Sequence, residues 1–139
     1  MNIDAIYNGI VIDHIEAGKG MRLYQLLKLD ELACTVAIIK NASSHRLGKK
    51  DIIKIDSETA IDFDIIGFVA PGATVNIIRN GTVEKRQVPM PKLLKGVLRC
   101  KNPRCITTTE QELAPIFKLS GDRYRCIYCE QELRVKPER

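Results

Sequence analysis

An α+β fold in two parts is what this sequence predicts, on three observations. Between residues 6 and 88, β-branched runs of strand type alternate with two stretches of helical apolar spacing. The connector Pro89-Met90-Pro91 then interrupts both patterns, because proline neither donates to a ladder nor fits inside a helix. Beyond it, four cysteines stand as Cys100-x4-Cys105, a gap of twenty residues, and Cys126-x2-Cys129. Domains are expected over residues 1–90 and 91–139.

Each element follows in order. Residues 6–15 are β-branched and read as a strand, with Gly9 marking a bend or bulge. Residues 20–29 place Leu23, Leu26 and Leu27 at helical spacing. Residues 35–40 form a short apolar strand, and Cys34, at the head of the apolar run 34–39, reads as core. The polar run 41–48 reads as a loop and 51–56 as a second compact strand. Residues 57–68 open on Ser57, a cap-like residue, and carry Ile61, Ile65 and Phe68 at helical spacing. Residues 73–79 and 82–88 are strands joined by Asn80-Gly81, a strong type I′ turn signal. The order β-α-β-β-α-β-β is the ferredoxin-like split plan with one added strand. It predicts an antiparallel sheet with both helices on one face. The other face, or an edge, is left to pair with a second copy.

The last 49 residues are too few to build a core alone. Four thiolates give zinc a closed tetrahedral shell, and structural zinc contributes on the order of 10–16 kcal/mol to small folds. Cys100, Cys105, Cys126 and Cys129 are therefore expected to hold one Zn2+ in a small, β-rich, zinc-ribbon-like domain. Val97, Leu98, Ile106, Leu113, Ile116, Phe117 and Leu119 are expected to pack around it. The start, Met1-Asn2-Ile3-Asp4, shows no basic n-region or signal-like run, and no stretch approaches the ~20 apolar residues of a membrane span. A cytoplasmic protein without membrane contact is expected. Paired cysteines there mean metal or redox chemistry rather than disulfides, and a second pair at ribbon-like spacing points to metal.

Charge is unevenly placed. Residues 1–91 balance eleven basic against eleven acidic side chains, whereas residues 92–139 hold eleven basic against six acidic and carry the whole +5. A basic zinc ribbon suggests nucleic acid. However, Arg99, Lys101, Arg104, Arg123 and Arg125 flank the cysteines. They would offset a zinc–tetrathiolate dianion and leave the domain near +3 in a simple count. Catalysis finds no support. A four-cysteine site has no open position, and the two histidines, His14 and His45, stand in no nucleophile, Walker or Gly-x-Gly-x-x-Gly pattern. Asp13 and His14 are strand neighbours, which point to opposite faces rather than form a dyad. Lys50 and Lys54 share a face about 13 Å apart along a strand. They suit either a polyphosphate or a solvated charged edge.

Val11-Ile12-Asp13-His14-Ile15, Gly48-Lys49-Lys50-Asp51-Ile52-Ile53-Lys54-Ile55 and Ala70-Pro71-Gly72-Ala73-Thr74-Val75-Asn76, with the Pro-x-Pro linker and the cysteine spacing, resemble the regulatory chain of aspartate carbamoyltransferase. The resemblance spans nearly the whole chain. It implies a non-catalytic subunit with an N-terminal allosteric domain and a C-terminal zinc domain that docks on the catalytic chain. It implies self-dimers through the N-terminal domain, three of which join two catalytic trimers, and control of pyrimidine biosynthesis by competing nucleotides: CTP, with UTP in some members, inhibits, and ATP activates.

The same resemblance implies a nucleotide site. Ile3, Asp4, Ala5 and Ile6 would hold base and sugar, with the backbone of Ile6 reading the base edge. Val11, Asp13 and His14 follow, with His14 on phosphate. Lys50 and Lys54 would contact sugar and phosphate, and Asn76, Ile78 and Val83 would form the hairpin wall. Two positions depart from the family. Gly81 replaces a tyrosine usual at the hairpin tip, keeping only its backbone carbonyl for the base. The phosphate lysine falls on Arg86, with Lys85 adjacent, and arginine is a planar fork rather than a point charge. The segment ahead of Ile3 is also short. The alternative from another class is a zinc-ribbon nucleic-acid binder, which salt-dependent binding of DNA or RNA would reveal.

Overall fold

The computed structural model describes residues 6–45, 48–98, 100–110 and 113–132. Two compact units divide between Pro89 and Met90. The first contains β1 (Gly9–Glu16), α1 (Gly20–Leu26), a 3-10 turn (Leu29–Glu31), β2 (Val36–Ser44), β3 (Gly48–Ile55), α2 (Phe63–Val69), β4 (Thr74–Arg79) and β5 (Thr82–Gln87). Its sheet has the order β2-β3-β1-β4-β5, antiparallel at every pairing. This is the split plan expected, with β5 added at one edge.

Alternation along the strands decides which face is buried. Ile10, Ile12 and Ile15 of β1, Ile53 and Ile55 of β3, and Val75 of β4 are buried with Leu23 of α1 and Ile66 of α2. The intervening Val11, Asp13, Lys50, Ile52, Lys54, Asn76 and Ile78 are only half-buried and lie on the open face. Cys34 packs against the edge of the core as a partly buried group.

Four local expectations differ. The first helix ends at Leu26, because Lys28 turns left-handed (φ 54°) and the 3-10 turn swings Leu29 back into the core. The polar run after residue 40 is not a loop at its start. Strand β2 continues to Ser44, with Asn41 at φ 59° absorbing a bulge opposite Asp51. The second helix begins at Phe63. Asp62 rather than Ser57 caps it, its carboxylate accepting from the N–H groups of Asp64 (2.9 Å) and Ile65 (3.4 Å), while the Ser57 hydroxyl donates to the carbonyl of Glu58. The bulge in β1 lies at Asp13-His14, opposite Ile52, and not at Gly9. The β4–β5 hairpin follows its turn signal. Asn80 (φ 50°) and Gly81 (φ 76°) are both left-handed, as a type I′ turn requires.

The second unit has β6 (Leu93–Lys95), a single helical turn α3 (Ile106–Thr109), β7 (Ile116–Ser120) and β8 (Arg123–Cys126). The sheet order is β6-β7-β8. Leu94, Phe117 and Tyr124 are buried, and the Tyr124 hydroxyl donates to the Pro91 carbonyl at 2.8 Å. Ile106, expected among the packed residues, is 48% exposed, because its neighbour Cys105 takes the inward position. Among the described residues no helix is long and apolar enough to cross a membrane.

Candidate functional site

Strand register brings the open-face residues into rows. Val11 is opposite Lys54 on one side and Asn76 on the other, and Asn76 is opposite Lys85. Lys54, Val11, Asn76 and Lys85 thus cross four strands as one line, a lysine at each end. Toward the hairpin tip the next row is apolar, with Gly9 opposite Ile78 and Ile78 opposite Val83. In the other direction lie Asp13 and Lys50. The open face therefore grades from cationic to apolar along the strands.

Lys50 and Asp13 form an ion pair at 2.9 Å with both side chains largely sheltered. Burial pushes the Asp13 carboxyl up. The Lys50 ammonium and the His14 backbone N–H, 2.6 Å away, outweigh burial and hold the group below its ordinary value. Asp13 thus bonds the backbone of His14 and not its ring. The reason is the bulge, in which His14 is left-handed (φ 58°), rather than simple strand alternation. Among the described residues, Nδ1 of His14 is a buried polar atom with no hydrogen-bond partner.

The β2 bulge and the entry to α1 are held by a group the sequence reading did not single out. Asp51, fully buried on the core face of β3, accepts at Oδ2 from the N–H groups of Gly18 (3.1 Å) and Gly20 (3.0 Å), and at Oδ1 from Asn41 (3.0 Å). The Asn41 N–H sits in the β2 bulge, and the glycine N–H groups lead into α1, whose own cap residue Lys19 offers no side-chain bond. A carboxylate at a helix start also suits the helix dipole. A side chain at residue 20 would meet Asp51 Oδ2 at 2.8 Å, so only glycine fits there. Lys50, the preceding residue, is positioned by this clamp.

Of the residues implied for a nucleotide, Ile3, Asp4 and Ala5 lie outside the described residues. Ile6 leads into β1. Val11, Asp13, Lys50, Lys54, Asn76, Ile78 and Val83 share the open face, with Gly81 at the tip of its hairpin. Arg86 does not join them. It is opposite Val75 of the core face, its guanidinium lies 5.9 Å from the centre of the Phe63 ring, and it pairs with Glu84 at 2.9 Å. The side chain that reaches the open face is Lys85. Its position was readable in advance. A two-residue turn at Asn80-Gly81 fixes the pairing of every residue behind it, and counting outward sets Asn76 against Lys85.

The four cysteine sulfurs lie within 4.8 Å of one another. Cys100 and Cys129 are 3.5 Å apart and Cys105 and Cys126 3.7 Å. A tetrahedron with metal–sulfur bonds of ~2.3 Å spaces its sulfurs about 3.8 Å apart, so the set fits a four-coordinate soft metal. Two knuckles present them. One is the turn in which the Arg104 N–H bonds Asn102 Oδ1 and the Cys105 N–H bonds the Asn102 carbonyl. The other is a loop closed by the Glu130 N–H on the Cys126 carbonyl, with Glu130 left-handed at φ 62°. Burial pushes the Cys100 thiol up to about 12 and raises Cys126. The Thr107 hydroxyl, 3.1 Å from Cys105, draws that thiol down to about 7. Four thiolates this close need a cation between them.

Two of the arginines expected to offset the sulfurs have another role. Arg123 and Arg125 both bind the Glu132 carboxylate, Arg125 at 3.2 Å, and pin the chain at Glu132 after the second knuckle. Arg99 lies outside the described residues.

Comparison with known proteins now bears on both units. The family described as aspartate carbamoyltransferase regulatory chain, allosteric domain, matches residues 1–89. The family described as aspartate carbamoyltransferase regulatory chain, metal binding domain, matches residues 92–137. The aspartate carbamoyltransferase regulatory chain of Bifidobacterium longum is 44% identical over 139 residues, covering 97% of this chain and 100% of that one. The regulatory chain of Clostridium botulinum strain Hall is 45% identical over 135 residues, with 94% and 92% covered, and that of Clostridium tetani is 42% identical over 143 residues, with 99% of each covered. The chain belongs to the family of aspartate carbamoyltransferase regulatory chains, and is a regulatory subunit rather than an enzyme itself.

Proposed function

We propose that the chain binds nucleotide effectors on the open face of its first unit and passes their effect to the catalytic chain through its second. The reading rests above all on the graded row: cations at Lys54, Lys85 and Lys50, apolar side chains at Ile78 and Val83. A triphosphate finds charge at one end and a base finds an apolar wall at the other. The unpartnered His14 Nδ1 lies at the cationic end, where phosphate oxygen is expected. Lys85 takes the phosphate role first given to Arg86. CTP and UTP inhibit and ATP activates, in the control of pyrimidine biosynthesis in the cytoplasm. Competing bases in one pocket can act oppositely when each favours a different state of the assembly, with a coupling of about 1–3 kcal/mol.

The metal is Zn2+, which suits a closed tetrathiolate. It holds the knuckles that display Ile106, Ile127 and Tyr128, each more than 40% exposed although apolar. These form the docking surface for the catalytic chain, in an assembly of two catalytic trimers and three regulatory dimers. Self-pairing uses β2, the edge that carries Val36, Ala37, Ile38 and Ile39. The other edge, β5, is exposed throughout and guarded by Glu84, Lys85 and Arg86. The nucleic-acid alternative has no such support.

Calorimetric titration of the full chain with CTP and ATP tests the site. Lys54→Ala and Lys85→Ala should each weaken both nucleotides roughly tenfold, the order of one charge-assisted contact, and Arg86→Ala should do less. Loss of binding in Arg86→Ala with none in Lys85→Ala would sink the row assignment.

A further inference from the structure

Tyr7 is the aromatic side chain of the first unit that stays outside the packing. It is 61% exposed, whereas Tyr24, Phe63 and Phe68 all pack against the core. An exposed ring is ordinary in itself, but this one is held in place. The Gly81 N–H donates to the Tyr7 carbonyl at 3.0 Å, and the Asn80 N–H donates to Asn8 Oδ1 at 2.9 Å, fastening the approach to β1 onto the hairpin tip. The edge of the ring lies 3.3 and 3.5 Å from the point where a β-carbon on residue 81 would stand. Any other residue at 81 would crowd the ring, and its left-handed φ of 76° already favours glycine. Tyr7 therefore occupies the side of the hairpin tip that Gly81 leaves bare. The tip is the apolar end of the open-face row, beside Ile78 and Val83, with Val83 itself 57% exposed. Four residues of strand, about 13 Å, separate it from Asn76 and the lysines, a length that a nucleoside triphosphate matches.

We propose that Tyr7 forms an aromatic wall for the base of a bound nucleoside triphosphate, and that Gly81 is required to keep the ring there. The inference rests on the nucleotide reading above and adds a base-contacting residue to it. Every base has a π-face, so stacking on Tyr7 contributes affinity to purine and pyrimidine alike, while ring size decides how far each reaches past Ile78. Phosphate affinity is untouched, because the lysines lie further along the strands.

The test compares CTP, ATP and inorganic tripolyphosphate on the full chain. Tripolyphosphate carries the charge without the base. Tyr7→Ala should weaken CTP and ATP by about 5- to 20-fold, the range of one base–aromatic stack, and leave tripolyphosphate unchanged. Tyr7→Phe should restore nucleotide binding to within about twofold, since the ring and not the hydroxyl makes the contact. In the NMR spectrum of the wild-type chain, Tyr7 ring protons should move upfield with either nucleotide and stay put with tripolyphosphate. If Tyr7→Ala binds nucleotides as the wild type does, or loses tripolyphosphate equally, Tyr7 only supports the hairpin and the proposal is wrong. If wild type binds tripolyphosphate but neither nucleotide, the base wall fails while the cationic row stands. If it binds none of the three, the nucleotide reading itself fails and Tyr7 falls with it.

Discussion

The two units gather their segments around different centres. In the first, three backbone N–H groups from two segments, the turn into α1 and the β2 bulge, converge on the buried carboxylate of Asp51. In the second, four sulfurs from two knuckles converge within 4.8 Å. The carboxylate sits in a core of aliphatic side chains from β1, β3, β4, α1, α2 and the 3-10 turn. The second unit has only Leu94, Phe117 and Tyr124 as buried large side chains among its described residues. One centre refines a fold that apolar burial already stabilises, and the other replaces the burial that a short chain lacks. The same motif, a polar hub with convergent ligands, is therefore an accessory in one unit and a prerequisite in the other.

Metal removal should expose that contrast most sharply. Stripping the metal with a chelator, or blocking the thiols with a mercurial, should unfold the second unit, since structural zinc contributes on the order of 10–16 kcal/mol to small domains. Amide signals of β6, β7 and β8 should collapse while those of β1 to β5 persist, and the catalytic chain should be released. Retention of the complex without metal would show that docking does not depend on the knuckles.

Disabling the other hub should be milder. Asp51→Asn sets an amide NH2 against backbone donors and leaves at least one N–H unsatisfied, at a cost of about 3 kcal/mol. Chemical denaturation should show a lower midpoint for the first unit with its cooperative transition kept. Complete unfolding would place Asp51 on a par with the metal and dissolve the distinction between the units.

The smallest effect separates the units by pH. The folded-state pKa of Asp13 is depressed. Its contribution, at most about 1 kcal/mol for a partly sheltered pair, is thus present above the ordinary carboxylate value and lost as pH falls through the depressed one. The thermal stability of wild type should exceed that of Asp13→Asn at pH 7, with the gap closing below about pH 4. A gap that does not change with pH would mean that the Lys50 contact contributes nothing.

What could be read from the residues alone follows the same division between local and distant causes. The cysteine quartet and the Asn80-Gly81 turn are local signals, and both led to the observed geometry. The start of α2 was misplaced because Ser57 and Asp62 are both capping residues, and only the backbone decides which one meets free N–H groups. Asp51 was invisible because its partners are 10 to 33 residues away, and an aspartate in an apolar strand carries no mark of them. The β1 bulge decides which way Asp13 and His14 turn, and no residue type marks it in advance, so that end of the open face was the least legible. Lys85 differs in kind. Turn length and strand alternation determine its face, but a position-by-position match to a family does not include that geometry.

The hairpin that presents Lys85 also works as a reading frame. Its two-residue turn determines which alternate set of β5 side chains faces the open side: Val83, Lys85 and Gln87, or Thr82, Glu84 and Arg86. One residue gained or lost at Asn80-Gly81 would exchange the sets and place Glu84 and Arg86 over the row, with no change in any residue of the strand. The charge that this face presents can thus be rewritten from the two-residue loop alone.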